Sequence, residues 1–97
     1  AIQIDPTFTK AYFNRGLIRQ KSGNPDGAIE DYTKAIELNP RYAEAYTNRG
    51  NLRRDQRNLR AAIADFEKAL QVAPSNWSYR KMVELHLAQA RKMMQQK

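Results

Sequence analysis

Three prolines, Pro6, Pro40 and Pro74, stand 34 residues apart, and each closes a similar phrase: AIQIDP at 1–6, AIELNP at 35–40 and ALQVAP at 69–74. Between them two units agree slot by slot without an insertion. Ala11 matches Ala45, Tyr12 matches Tyr46, Asn14-Arg15-Gly16 matches Asn48-Arg49-Gly50, Ala28-Ile29 matches Ala62-Ile63, and Asp31 matches Asp65. Tyr32 matches Phe66, and Lys34 matches Lys68. A fixed period of this length constrains the chain more than its composition does. Each unit is one building block that cannot bury its apolar face alone, so the blocks stack rather than close into a globule.

Each block divides into two helices. The first runs from about Thr9 to Ser22 and ends at Ser22-Gly23; Asn24-Pro25 then supplies a cap and a first-turn proline for the second, from Pro25 to Leu38. Asn39-Pro40 stops it, because proline disfavours helical geometry in the residue before it. No stretch alternates with the period of a strand, so the expected fold is all-α.

Small residues set the packing. Gly16 and Ala28 recur as Gly50 and Ala62, and a glycine inside a helix costs about 1 kcal/mol relative to alanine, so its reuse implies a close approach of two axes. Tyr12, Ile29, Tyr32, Ala35 and Ile36 fill the space around that contact at helical spacing.

On Tyr12, Gly16, Ala28, Tyr32, Ala35 and Pro40, repeated as Tyr46, Gly50, Ala62, Phe66, Ala69 and Pro74, the chain resembles a tetratricopeptide repeat protein over residues 1–76. The resemblance implies a right-handed superhelical stack of antiparallel helix pairs. Its units are the end of a truncated repeat at 1–8, repeats at 9–42 and 43–76, and a C-terminal cap helix at 77–97. It also implies that the first helix of each pair lines a concave groove for peptides or partner helices. The groove slots are Lys10, Phe13, Leu17, Gln20 and Lys21 on the first repeat, Glu44, Thr47, Asn51, Arg54 and Asp55 on the second, and Lys81, Leu85 and Gln89 on the cap. Asn14 and Asn48 lie beside them, where relatives hydrogen-bond a peptide backbone. Some relatives clamp a C-terminal carboxylate with basic residues and asparagines. Here Asn48 fits one clamp slot, but Phe13, Leu17, Ser78 and Met82 occupy the others, so that clamp is rejected.

Three departures from the family carry expectations. Arg15 and Arg49 stand where relatives usually have a large apolar residue, and Arg19 and Arg53 where they often have an aromatic. Asp31 and Asp65 each follow the first of these arginines by 16 residues, which predicts an ion pair from helix to paired helix, worth little where exposed. Arg57 replaces the usual turn glycine, which predicts a looser or longer second turn.

The ends differ. Residues 76–96 are expected to form a helix with Val83, Leu87, Ala90 and Met94 on the docked stripe and Met82, Leu85 and Met93 beside it. Arg80 and Glu84 occupy the slots of Tyr46 and Gly50, which predicts a terminal cap that accepts no further helix closely. The sequence opens in mid-unit, which is expected of a fragment of a longer array or of a chain whose missing half-repeat comes from another copy; Phe8, Tyr12, Phe13, Leu17 and Ile18 lie near this open end, where such a patch favours self-association.

Chemistry finds little material. His86 is the single histidine, there is no cysteine, and no glycine-rich loop is followed by a lysine-serine or lysine-threonine pair. No enzyme, metal site or cofactor is expected. No run approaches the roughly eighteen apolar residues of a membrane span, nor is a basic segment followed by an apolar stretch at the start, so neither anchor nor leader is expected. The residues name no compartment. The net charge of +7 comes from 41–60 and 77–97, since residues 1–40 balance. With a groove apolar at Phe13 and Leu17 and basic at Arg54 and Lys81, the expected partner is a peptide or helix with one hydrophobic anchor and acidic residues. The alternative is RNA held by the basic C-terminal half, disfavoured because the aromatics fall at internal slots.

Overall fold

A computed structural model describes residues 6–96, and the expected end of a preceding repeat at 1–5 lies outside them. Five helices follow one another: α1 (Pro6–Lys21), α2 (Pro25–Leu38), α3 (Ala43–Asp55), α4 (Leu59–Val72) and α5 (Arg80–Gln95). Among the described residues there is no strand. Consecutive helices pack on one another, and α3 also touches α5.

Local chemistry explains the boundaries. The Gly27 amide donates to the Asn24 side chain at 3.0 Å, Pro25 takes the first helical position, and Asp26 sits at the positive end of the α2 dipole. At the other end Asn39 is extended ahead of Pro40, and its amide closes the last turn on the Ala35 carbonyl at 2.8 Å. Ala73 ends α4 in the same way ahead of Pro74.

The glycine contacts are as close as their recurrence implies. A Cβ on Gly16 would lie 2.7 Å from Tyr32 Cε1, and one on Gly50 would lie 2.8 Å from Phe66 Cε1. Both rings are fully buried, as are Ala28 and Ala62. Two core clusters form across the helix layers: Phe13, Ala28, Tyr32, Ala35, Ala45 and Leu52 where α1 and α2 meet α3, and Tyr46, Ala62, Phe66, Ala69, Val83, Leu87 and Ala90 where α3 and α4 meet α5. Ile36 packs against both and ties the repeats together.

The expected ion pairs form. Asp65 accepts from Arg49 Nη2 at 2.7 Å and Nε at 3.0 Å, and Asp31 accepts from Arg15 Nη2 at 2.7 Å. Arg19 and Arg53 join them, at 3.5 Å from Asp31 and 3.0 Å from Asp65, so each buried carboxylate sits in a fork of two arginines. The pairs differ in surroundings: the Arg49 side chain is 13% exposed and that of Arg15 is 52% exposed. Arg49 also donates to Thr33 Oγ1 on α2 at 3.1 Å, so it binds the previous repeat as well as its own. Hydrogen bonding and attraction to Asp31 push the Arg15 guanidinium above its ordinary range, keeping it charged.

The second turn corrects an expectation. Arg57 neither lengthens nor loosens it. Arg57 adopts φ 65°, the left-handed conformation that Gly23 adopts at φ 79°, and Asn58 N–H bonds Arg53 O at 2.8 Å just as Asn24 N–H bonds Arg19 O. The turn geometry is set by the helices on either side, so the residue accepts the strain. Arg57→Gly is therefore expected to raise stability by about 0.5–1 kcal/mol, the relief of left-handed strain less the added freedom of the unfolded chain. Chemical denaturation with an unchanged m-value checks this.

The cap helix begins later than expected, at Arg80 rather than 76. Tyr79 falls at the slot of Ala45, which is fully buried in the first core, and a tyrosine is too large for such a space; residues 77–79 form turns instead, with Trp77 packed on the second core and Tyr79 exposed. Val83, Leu87 and Ala90 are buried as expected, whereas Met94 is exposed and Met93 half-buried. Arg80 replaces the role of Tyr46. Tyr46 donates its hydroxyl to Pro40 O at 3.1 Å, and Arg80 Nη2 reaches Pro74 O at 3.1 Å together with Leu70 O and Ala73 O, capping the carbonyl end of α4.

Candidate protein-binding cleft

The first helices of the successive pairs, α1 and α3, and the start of α5 enclose a cleft of about 180 Å³. Phe13 comes from α1, Glu44, Thr47 and Asn48 from α3, Trp77 and Tyr79 from the turn before α5, and Met82 from α5. Phe13 forms its floor. Its ring stacks on Tyr42 with centroids 4.9 Å apart and tilts against Tyr32 at 5.6 Å, so it is largely buried rather than projecting as a free anchor. Thr47 is buried with its hydroxyl bonded to Ala43 O at 3.0 Å, so it offers the cleft little beyond its methyl group.

Asn48 is half-buried at the cleft wall. Its amide lies within reach of the Tyr32 phenol, whose proton is held more tightly because burial outweighs the stabilising effect of Asn48. Tyr32 donates to Gln20 Oε1 at 2.7 Å, which takes Gln20 out of the groove's free polar groups. Trp77 and Tyr79 meet edge to face at 5.7 Å and form the rim with Met82.

The other expected groove residues separate. Lys10 and Asn14 line a different depression with Thr7 and Ala11. Leu17 packs against the first core, and Lys21 is exposed at the end of α1. Asn51 is half-buried with its Oδ1 unpaired among the described residues. Arg54 is largely covered and held at 3.8 Å by Asp55 and at 3.5 Å by Gln89, so the basic end of the groove is partly neutralised within the chain. Lys81 and Leu85 are exposed on α5.

Trp77, Tyr79 and Met82 are the cleft residues that sequence reasoning missed, Met82 being expected beside the docked stripe; for the two aromatics a signal was present. Their slots belong to Ala43 and Ala45 in the preceding repeat, and two large aromatics at alanine slots were the available signal that the helix could not begin there.

His86 on α5 meets Phe66 of α4 edge to face, with ring centroids 6.0 Å apart. Burial lowers its pKa, and the nearby Arg54 charge lowers it further. The folded chain thus holds fewer protons than the unfolded one between the ordinary value near 6.5 and the lower folded value. Stability is full above that ordinary value and falls as pH drops through the folded one. Thermal unfolding is expected at a lower temperature at pH 5.5 than at pH 7.5, and His86→Gln should flatten that slope.

Among the described residues the helix pairs stack with a cleft on the side of their first helices, the build of a helical-repeat scaffold. The tetratricopeptide repeat family model matches residues 9–42 and 43–76, and the chain belongs to that family. Among solved structures, the first TPR of Spaghetti (RPAP3) bound to the HSP90 peptide SRMEEVD is similar over 99% of this chain and 100% of that chain, with a TM-score of 0.56 and 22% identity. At that identity the likeness shows the fold. Comparison with curated proteins gives no match.

Proposed function

We propose that the chain is a protein-interaction module that binds a peptide or partner helix through the cleft between α1, α3 and α5. The observation that carries the proposal is an apolar, aromatic-rimmed opening sized for one large side chain, with a polar amide at its wall. The solved structure of the Spaghetti domain holds a peptide, which supports this use of the fold. The residues here suit a different ligand end from a clamped carboxylate, because Phe13, Leu17, Ser78 and Met82 occupy all but one of the clamp slots. Acidic residues further along the ligand would lie toward exposed Lys81.

Phe13→Ala is a poor test, since it empties the first core. Met82→Glu changes an exposed rim residue instead. Peptides selected from a random displayed library against the native domain should share an apolar residue and lose binding to Met82→Glu while thermal stability is unchanged. Selected peptides that ignore this substitution would remove the cleft from the proposal. RNA retention that survives Met82→Glu and collapses with salt would favour the nucleic-acid alternative.

A second reading rests on comparing equivalent slots. Ile18 on α1 is 64% exposed, whereas Leu52, its counterpart on α3, is 6% exposed; Ala11 is exposed where Ala45 is fully buried. The face of α1 that α2 would cover, were it on α3, supports self-association through this end. Light scattering across a concentration series should show the mass rising with the native chain and remaining monomeric for Ile18→Glu. A constant monomer mass for the native chain removes this reading.

A further inference from the structure

Glu44 is the one Asp, Glu, Lys, Arg or His lining the cleft. It is exposed, adds to the burial that holds the Tyr42 phenol's proton more tightly, and has no ion pair among the described residues. Most of the other acids here are already engaged. Asp31 and Asp65 are forked by arginines, Asp55 faces Arg54, Glu67 meets Arg91 at 2.6 Å, and Asp26 accepts from Gln56. Around Glu44 the cleft offers Phe13, Trp77, Tyr79 and Met82, which take an apolar side chain, and Asn48, which can bond a peptide amide.

We infer that the cleft recognises a peptide whose apolar anchor is directly flanked by a basic residue, with the anchor against Phe13 and Met82 and the cation at Glu44. This rests on the reading of the cleft as a peptide site and adds the chemistry of its ligand. A glutamate beside the anchor would meet the Glu44 carboxylate in a partly desolvated opening and be repelled. The chain's net charge of +7 draws acidic ligands from a distance, but at 0.15 M salt that field is screened beyond about 8 Å, so the group in direct contact decides the flanking residue. Acids can still be accepted further along, toward Lys81.

Trp77 is the chain's single tryptophan and lines the cleft, so its fluorescence reports occupancy directly. The probes are capped peptides of serine and glycine with a central leucine, flanked on both sides by arginine, glutamine or glutamate; a fourth replaces the leucine by serine between arginines. At 0.15 M and 0.3 M sodium chloride the arginine peptide should bind more tightly than the glutamine peptide by about threefold to fivefold. The glutamate peptide should bind more weakly than both, and the serine peptide should not bind. Glu44→Gln should erase the preference without changing the unfolding temperature, and Glu44→Lys should reverse it. If the glutamate peptide binds the native chain most tightly, or if Glu44→Gln leaves the order unchanged, the cation at Glu44 is overturned while the cleft stands. If no leucine peptide perturbs Trp77, the cleft as a peptide site is itself overturned.

Discussion

Asp65→Ala is expected to lower stability by about 2–4 kcal/mol. The carboxylate is 4% exposed and accepts from Arg49 Nε and Nη2 and from Arg53 Nη1, all within 3.0 Å. Removing it leaves two guanidinium groups facing each other over a buried methyl group, and breaking a buried pair from one side typically costs about 3–5 kcal/mol. The lower range applies because the Arg53 side chain is 26% exposed and can turn toward water. For a domain of this size that is a large share of a total near 5–15 kcal/mol. Asp31→Ala should cost clearly less, since Arg15 already lies half in solvent. Removing both charges together, as Arg49→Met with Asp65→Leu, should recover most of the loss, because apolar replacements of buried pairs are often neutral or better. Urea denaturation of the three variants beside the native chain measures this. Equal losses at Asp65 and Asp31 would show that burial of the arginine partner does not set the cost.

Gly50→Val is expected to destabilise by about 3 kcal/mol or more, with Gly50→Ala losing about 1–2 kcal/mol despite the better helix propensity of alanine. A Cβ there meets Phe66 Cε1 at 2.8 Å, Cδ1 at 3.0 Å and Asp65 Cβ at 3.2 Å. The ring is fully buried in a core with Val83 and Leu87, so it can yield only by displacing α5. Phe66→Leu should relieve part of the overlap, making the double variant Gly50→Val, Phe66→Leu more stable than the sum of its single changes. A stabilised Gly50→Ala would mean that the helices can separate without loss, contrary to the packing described. Because Phe66 also touches His86, the pH slope of unfolding should change in the Gly50 variants.

Much of the architecture was legible in the residues because its causes are local or periodic. The 34-residue spacing of Pro6, Pro40 and Pro74, the Asn24-Pro25 helix start and the glycine-alanine pairs each act through backbone geometry that a short stretch specifies. The ion pairs were also visible, since equal separations in two units point to one contact used twice. The fork of two arginines on each aspartate was not, because Arg19 and Arg53 reach Asp31 and Asp65 only through side-chain conformations that packing selects.

The turn at Arg57 shows the limit most plainly. Side-chain identity predicted a longer connection, but docking of α3 on α4 dictates the left-handed backbone whatever residue stands there. The cleft shows it again. The sequence by itself determined the repeat and its helix pairs, and its resemblance to the family implied which slots face the groove. Only the tertiary structure decided that Phe13 lies stacked under Tyr42, that Lys10 and Asn14 belong to another depression, and that Trp77, Tyr79 and Met82 complete the opening. Periodicity assigns a side chain to a face, whereas its exposure and neighbours depend on volumes contributed by other helices. Here those volumes changed where Ala43 and Ala45 gave way to Trp77 and Tyr79.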